Sequence, residues 1–173
     1  MMEHLWSPWR MTYLRADKDD PKQKLAATGL LRMPTCIFCD LPAEHHDDEN
    51  LIAYRGERAF VMLNRYPYNN GHLMVIPFAH QPSFEFLDAP TLTEIMGLSN
   101  QALRALRRVY QPQAFNLGAN IGTAAGAGIA EHVHWHIVPR WAGDTNFMSV
   151  TSGTRVIPED LRETLRLVRA AWV

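Results

Sequence analysis

Residues 131–140, EHVHWHIVPR, place His132, His134 and His136 at alternate positions among Val133, Trp135, Ile137 and Val138. A period of two is the pattern of a β-strand, whose successive side chains point to opposite faces. The three imidazoles are therefore expected on one face, and Val133, Trp135 and Ile137 on the other. With a rise of about 3.3 Å per residue, the outer two Cα atoms would lie roughly 13 Å apart, whereas zinc takes imidazole nitrogens at about 2.0–2.1 Å. One ion does not easily take all three, so the row is expected to divide its labour. The rival reading has two adjacent members sharing a metal with a histidine from elsewhere, because neutral imidazole suits zinc and other transition metals.

Working outward, TAAGAG (123–128) reads as a small-residue loop feeding the triad, and AFNLGANIG (114–122) as a strand before it. Further upstream, LIAYRGERAFVMLN (51–64) looks like two short strands around a turn at Arg55-Gly56. HLMVIP (72–77) looks like another, reached through a turn marked by Pro67 and Asn70-Gly71. Between these strands and the triad, APTLTEIMGLSNQALRALRRVY (89–110) carries Leu92, Ile95, Met96, Ala102, Leu103, Leu106 and Val109 at helical spacing, with Thr91 as a cap ahead of Glu94. Arg104, Arg107 and Arg108 fit a solvated face of that helix better than a phosphate track. The end of the chain, IPEDLRETLRLVRAAWV (157–173), predicts a second helix opening at Pro158 with acidic residues behind it. Hairpin-like strand pairs with one long helix and a C-terminal helix predict an α+β fold with a largely antiparallel sheet. Residues 1–35 read as an aromatic arm and loose loop, with Trp6, Trp9 and Arg10 packing on apolar surface or a partner subunit, and residues 36–173 as one domain.

Composition narrows the function classes. The 173 residues hold 17 basic and 18 acidic side chains, so there is no broad electrostatic footprint for duplex nucleic acid or an anionic membrane. An anionic ligand would be met locally. No apolar run approaches a membrane span and MMEHLWSPWR lacks signal-peptide order, which reads as a cytoplasmic protein. The two cysteines, Cys36 and Cys39, stand as CIFC; in a reducing compartment that spacing suggests metal binding or redox chemistry before a structural disulfide. As thiolates they would form half of a tetrahedral site, with His45, His46, His80 and His132 as candidates for the rest. Spacing alone does not choose among these.

The segment HVHWHIV (132–138) resembles the His-φ-His-φ-His-φ-φ signature, φ being apolar, of the HIT (histidine triad) superfamily of nucleotide hydrolases and nucleotidyl transferases. NRYPYNNGHLMVIPFAH (64–80), CIFC (36–39) and NIGTAAGAGIAEH (120–132) resemble further family segments, so the likeness covers most of residues 36–141. It implies a HIT-like fold, a homodimer with a continuous sheet, and a zinc site of Cys36, Cys39, His80 and His132. His45 and His46, in the acidic loop AEHHDDEN, then become surface residues. The resemblance also implies that His134 is the nucleophile, that His136 contacts the phosphate or helps the leaving oxygen, and that His72 supports the triad from an adjoining strand. Asn64 and Asn120 match polar positions near ribose and phosphate, although a turn asparagine is an ordinary alternative for either. Gly126, Ala127 and Gly128 could bring backbone N–H groups to a phosphate without side-chain obstruction, against the plainer reading of a flexible loop.

One position departs from the pattern. Many HIT hydrolases carry glutamine in the loop before the triad, where this chain has Gly128. The segments LWSPWRMTYL, AEHVHWHIVPRW and AGDTNFM instead resemble a subgroup of diadenosine tetraphosphate phosphorylases and ATP adenylyltransferases, in which inorganic phosphate accepts the nucleotide from histidine. That predicts an enzyme acting on dinucleoside polyphosphates through a covalent nucleotidyl-histidine at His134. Two other readings stand beside it: a HIT hydrolase of nucleoside phosphoramidates or polyphosphates that uses water, and a zinc-stabilised nucleotide-binding module with little catalysis. Arg140 and Trp141, directly after the triad, are possible ligand contacts; Asp144 and Asn146 receive no role.

Overall fold

A computed structural model describes residues 36–144 and 159–172. The arm of residues 1–35, Asn146 and Pro158 lie outside the described residues. The described chain runs α1 (Ile37–Ala43), β1 (Ile52–Arg55), β2 (Ala59–Leu63), β3 (Leu73–Pro77), a 3-10 turn (Phe84–Phe86), α2 (Ala89–Tyr110), β4 (Ala114–Gly118), a second 3-10 turn (Thr123–Ala125), β5 (Trp135–Arg140) and α3 (Leu161–Ala171).

The strands form one antiparallel five-stranded sheet in the order β1-β2-β3-β5-β4. This is the α+β architecture with an antiparallel sheet expected from the sequence. β1–β3 are a meander built by the short turns at Arg55-Gly56 and Asn69–His72. α2 then carries the chain across one face so that β5 enters beside β3, and β4 takes the outer edge. Gly71 adopts φ +71, and a Cβ there would stand 2.8 Å from Leu106 Cδ2, so the turn into β3 needs glycine both for its backbone and for its fit against α2.

Period-two alternation gives the two faces of the sheet different partners. One face presents Val61, Leu63, Leu73, Val75, Val133 and Ile137 to Ile95, Leu98, Ala102 and Leu106 of α2 and Leu165 and Val168 of α3. The other presents Ile52, Phe60, Met62, Met74 and Ile76, with Phe38 of α1 among them. The strand pairings Gly118↔His136, His136↔Met74, Met74↔Met62 and Met62↔Ile52 make one row across all five strands of this second face. His136 thus lies beside methionines, on the face that α2 does not cover.

Several details differ from the sequence reading. The cap of α2 is Asp88, whose carboxylate accepts the Thr91 N–H at 2.9 Å, with Pro90 in the first turn; Thr91 is the donor inside the helix. Leu92 and Met96 lie exposed, whereas Leu98, Ser99 and Ala105 fill the buried stripe. α3 begins at Leu161 behind Asp160, which accepts the Arg162 N–H. β4 ends at Gly118, so Asn120 lies beyond it. The helix α1 had no apolar period to announce it, being seven residues long with Pro42 inside.

Candidate active site and metal centre

The histidine row begins before its strand. β5 starts at Trp135, so only His136 belongs to the sheet ladder, and His132 and His134 occupy the extended lead-in. Two local bonds hold this lead-in: Val133 N–H to Gln81 O at 2.7 Å, and His134 Nδ1 to the His132 carbonyl at 2.9 Å. The expectation of a single strand through all three histidines is corrected there, but their common face is kept: His134 and His136 meet edge to face with ring centroids 4.8 Å apart. All three are buried.

His132 directs its Nδ1 at a pair of cysteines. Its Nδ1 lies 3.3 Å from Cys36 Sγ and 3.6 Å from Cys39 Sγ, and His80 Nδ1 lies 3.4 Å from Cys39 Sγ. Four donor atoms, one each from Cys36, Cys39, His80 and His132, all fall within 4.8 Å of one another. Around a tetrahedral zinc with bonds of about 2.3 Å to sulfur and 2.0–2.1 Å to nitrogen, sulfur and nitrogen ligands are separated by about 3.6 Å. The four residues therefore fit zinc by donor type and by spacing. α1 explains the cysteine geometry: Cys36 is its N-cap residue and Cys39 follows three residues on, so one turn brings both sulfurs together.

The surroundings of His132 favour the same use. Its Nε2 donates to the Pro77 carbonyl at 2.8 Å, which leaves Nδ1 with a lone pair towards the thiols. Burial lowers its pKa, keeping the ring neutral as a ligand must be. Burial and the neighbouring Cys36 push the Cys39 thiol up to about 11. His45 and His46 are exposed and do not join the cluster.

His134 is held in one tautomer. Its Nδ1–H donates to the His132 carbonyl, so in the neutral ring Nε2 carries the lone pair. Burial lowers its pKa and so favours that neutral form. Phe38 packs beneath both His132 and His134, with centroids 5.6 and 5.0 Å away. The outermost ring, His136, has its Nδ1 2.9 Å from His72 Nε2. Burial first, then the neighbouring His134, takes its pKa down to about 4. Tyr68 lies against both His72 and His136, at 4.6 and 5.7 Å between centroids. Phe38 and Tyr68 carried no role in the sequence reading, since a lone aromatic residue in a helix or turn does not announce a site.

The remaining expectations are placed as follows. Asn64 accepts the Tyr66 N–H through Oδ1 at 2.9 Å and so shapes the turn. Asn120 is half-buried just past the β4 residue that pairs with His136. In the loop before the triad, Gly126 N–H bonds Thr123 O at 2.9 Å and Ala127 N–H lies 3.4 Å from Gly122 O. Those two donors are turned into the loop itself, away from the phosphate role expected of them together with Gly128. Arg140 is engaged by Asp144 and Asn116. Among the described residues, no helix is long and apolar enough to cross a membrane.

A half-open antiparallel sheet bearing a buried histidine row beside a two-cysteine, two-histidine pocket defines the class of histidine-triad proteins. The chain belongs to the HIT domain family, which matches residues 46–143. It is 40% identical over 173 residues to a protein of Mycobacterium tuberculosis (strain ATCC 25618 / H37Rv) called AP-4-A phosphorylase, an alignment covering 99% of this chain and 85% of that one. Among solved structures it resembles a Zn-bound histidine triad family protein from Mycobacterium smegmatis, with TM-score 0.63 and 26% identity, covering 79% of this chain and 92% of that chain. A hypothetical histidine triad nucleotide-binding protein from Sulfolobus tokodaii strain7 is similar at TM-score 0.64 and 26% identity, covering 79% and 91%.

Proposed function

We propose that the protein transfers a nucleotidyl group from a dinucleoside polyphosphate, of the diadenosine tetraphosphate type, to inorganic phosphate through His134. The observation that carries this reading is the bond from His134 Nδ1 to the His132 carbonyl in a buried, neutral ring, which leaves Nε2 as the attacking atom. In the first step Nε2 bonds to the α-phosphorus while the bond from that phosphorus to the bridging oxygen breaks, and the departing nucleoside polyphosphate keeps the electron pair. His134 retains its Nδ1 proton, and the His132 carbonyl steadies the positive charge that develops on the ring. In the second step a phosphate oxygen attacks the same phosphorus, the P–N bond breaks, and neutral His134 returns. Splitting one displacement into two lowers each barrier.

His136 is proposed as the N–H donor to the phosphoryl oxygens, with His72 behind it. Asn64, Asn120 and Gly128 belong to the substrate-binding surround, and Gly126 and Ala127 shape its loop through the bonds their N–H groups make within it. Zinc on Cys36, Cys39, His80 and His132 would be structural, closing α1 onto the triad lead-in. The name of the Mycobacterium tuberculosis relative supports the substrate class, and Gly128, in place of a glutamine side chain, supports phosphate as acceptor. A homodimer belongs to the same reading, because β4 is an edge strand with Leu117 exposed.

Incubating the protein with diadenosine tetraphosphate, with and without inorganic phosphate, tests the proposal by product identity. ADP and ATP formed only in the presence of phosphate are expected. AMP and ATP formed regardless of phosphate would make water the acceptor and the protein a hydrolase. Nucleotide binding without turnover, and no nucleotide-sized mass gain on the protein, would leave a binding module.

A further inference from the structure

The loop between β2 and β3 reaches the histidine row through one backbone amide. Tyr68 N–H donates to His72 Nδ1 at 3.0 Å. An amide can only donate, so this ring nitrogen is bare, and neutral His72 carries its proton on Nε2. That Nε2–H faces His136 Nδ1 at 2.9 Å, so His136 in turn accepts at Nδ1 and carries its proton on Nε2. Reversing both rings would keep the bond between the two histidines, but would set His72 Nδ1–H against Tyr68 N–H, donor against donor. The amide thus selects the tautomer of His136 at two removes.

The residue after Tyr68 is anchored across the sheet. Asn69 Nδ2 donates to the Pro139 carbonyl at 3.1 Å and to Asp144 Oδ2 at 2.9 Å. Asp144 is itself gripped by Arg140, through Nε at 2.6 Å and Nη2 at 2.9 Å, and by the Trp141 N–H at 3.1 Å. Its side chain is 8% exposed. A two-pronged guanidinium–carboxylate pair is a rigid anchor, and it occupies the Arg140 cation that could otherwise have met a phosphate.

We propose that Asn69 and Asp144 are positioning residues, which hold the Tyr68 amide on His72 and thereby keep His136 with its proton on Nε2, aimed away from His72. The inference rests on the reading of His136 as the phosphate-facing donor, but its structural core does not depend on turnover. Losing an amide partner in a buried pair shifts a tautomer balance by on the order of tenfold or more.

The test uses the full chain with histidine rings labelled by nitrogen-15, and long-range proton–nitrogen correlation spectra to read which ring nitrogens are protonated. His72→Gln and His136→Gln serve for assignment. In the wild type both His72 and His136 should carry the proton on Nε2. In Asn69→Ala, and in the near-isosteric Asp144→Asn, His136 should show a mixture of tautomers and kcat should fall about tenfold with KM little changed. Wild-type tautomers in both variants would overturn the positioning role even if activity fell, and a wild-type His72 protonated on Nδ1 would overturn the relay outright. Absence of phosphorolysis would defeat the proposed reaction and leave the tautomer result standing, so the two failures are distinguishable.

Discussion

The two ends of the histidine row are built from the same residue and held in opposite ways. At the first end, His132 gives Nε2–H to the Pro77 carbonyl and turns Nδ1 to two sulfurs. At the last, His136 accepts from His72 at Nδ1 and keeps Nε2–H for the other side. His134 between them is oriented by the backbone of the first while its ring meets the ring of the last. A ring nitrogen's job is set by what its other nitrogen bonds. The proposed function gives three identical side chains, within five residues, the separate roles of ligand, nucleophile and donor.

The sharpest way to break this division is to remove its middle. His134→Ala should lower turnover by on the order of 10⁴-fold or more, since a covalent nucleophile has no substitute. Bound zinc and the cooperative thermal transition should persist. Elemental analysis, a melting curve and single-turnover kinetics check all three, and turnover near the wild-type rate would end the nucleophile assignment.

Cys36→Ser tests the first end alone. Elemental analysis should find about one zinc fewer per chain than in the wild type. If the lost ligand costs roughly 3 kcal/mol, Tm should fall by about 6–12 °C, because α1 would no longer be tied to the lead-in. Equal zinc in both proteins would remove the metal assignment.

The last end should announce itself through pH. Burial, and then the neighbouring His134, takes His136 from the ordinary imidazole value of about 6.5 down to about 4. The unfolded chain therefore binds more protons between these values, and stability rises with pH there. Burial of neutral His136 contributes fully above about 6.5, and that contribution is lost as pH falls through the interval towards about 4. Chemical denaturation at pH 7.5 and 5 should show the loss, and His136→Gln should shrink it. An unchanged difference in that variant would assign the pH dependence to other groups.

The same contrast shows how far the sequence could be read. Period-two and helical patterns placed β1–β3 and α2, because burial on one face writes itself into spacing. The donor set of Cys36, Cys39, His80 and His132 was reached by resemblance, and the spacing alone left His45 and His46 open. What stayed hidden was carried by backbone atoms: the Pro77 and His132 carbonyls and the Tyr68 amide have no side-chain signature. Asp144 and Asn69 were equally silent, since a carboxylate and an amide meeting across 75 positions leave no local period. Thr91 was misread as a cap because Asp88, three residues earlier, lies outside the apolar pattern that drew attention to the helix.

The smallest expected effect concerns the opposite face. Ile95 on α2 is 1% exposed and packs in the cluster that contains no histidine. Ile95→Val should cost about 0.5–1.5 kcal/mol, a Tm shift of roughly 1–6 °C, by removing one methylene from a close-packed core. Because the sheet lies between Ile95 and the histidine row, kcat per folded molecule should stay at the wild-type value. A melting curve paired with a turnover assay measures both. A fall in kcat beyond about twofold would mean that packing under β3 and β5 sets the ring geometry, and that the two faces are coupled through the strands they share.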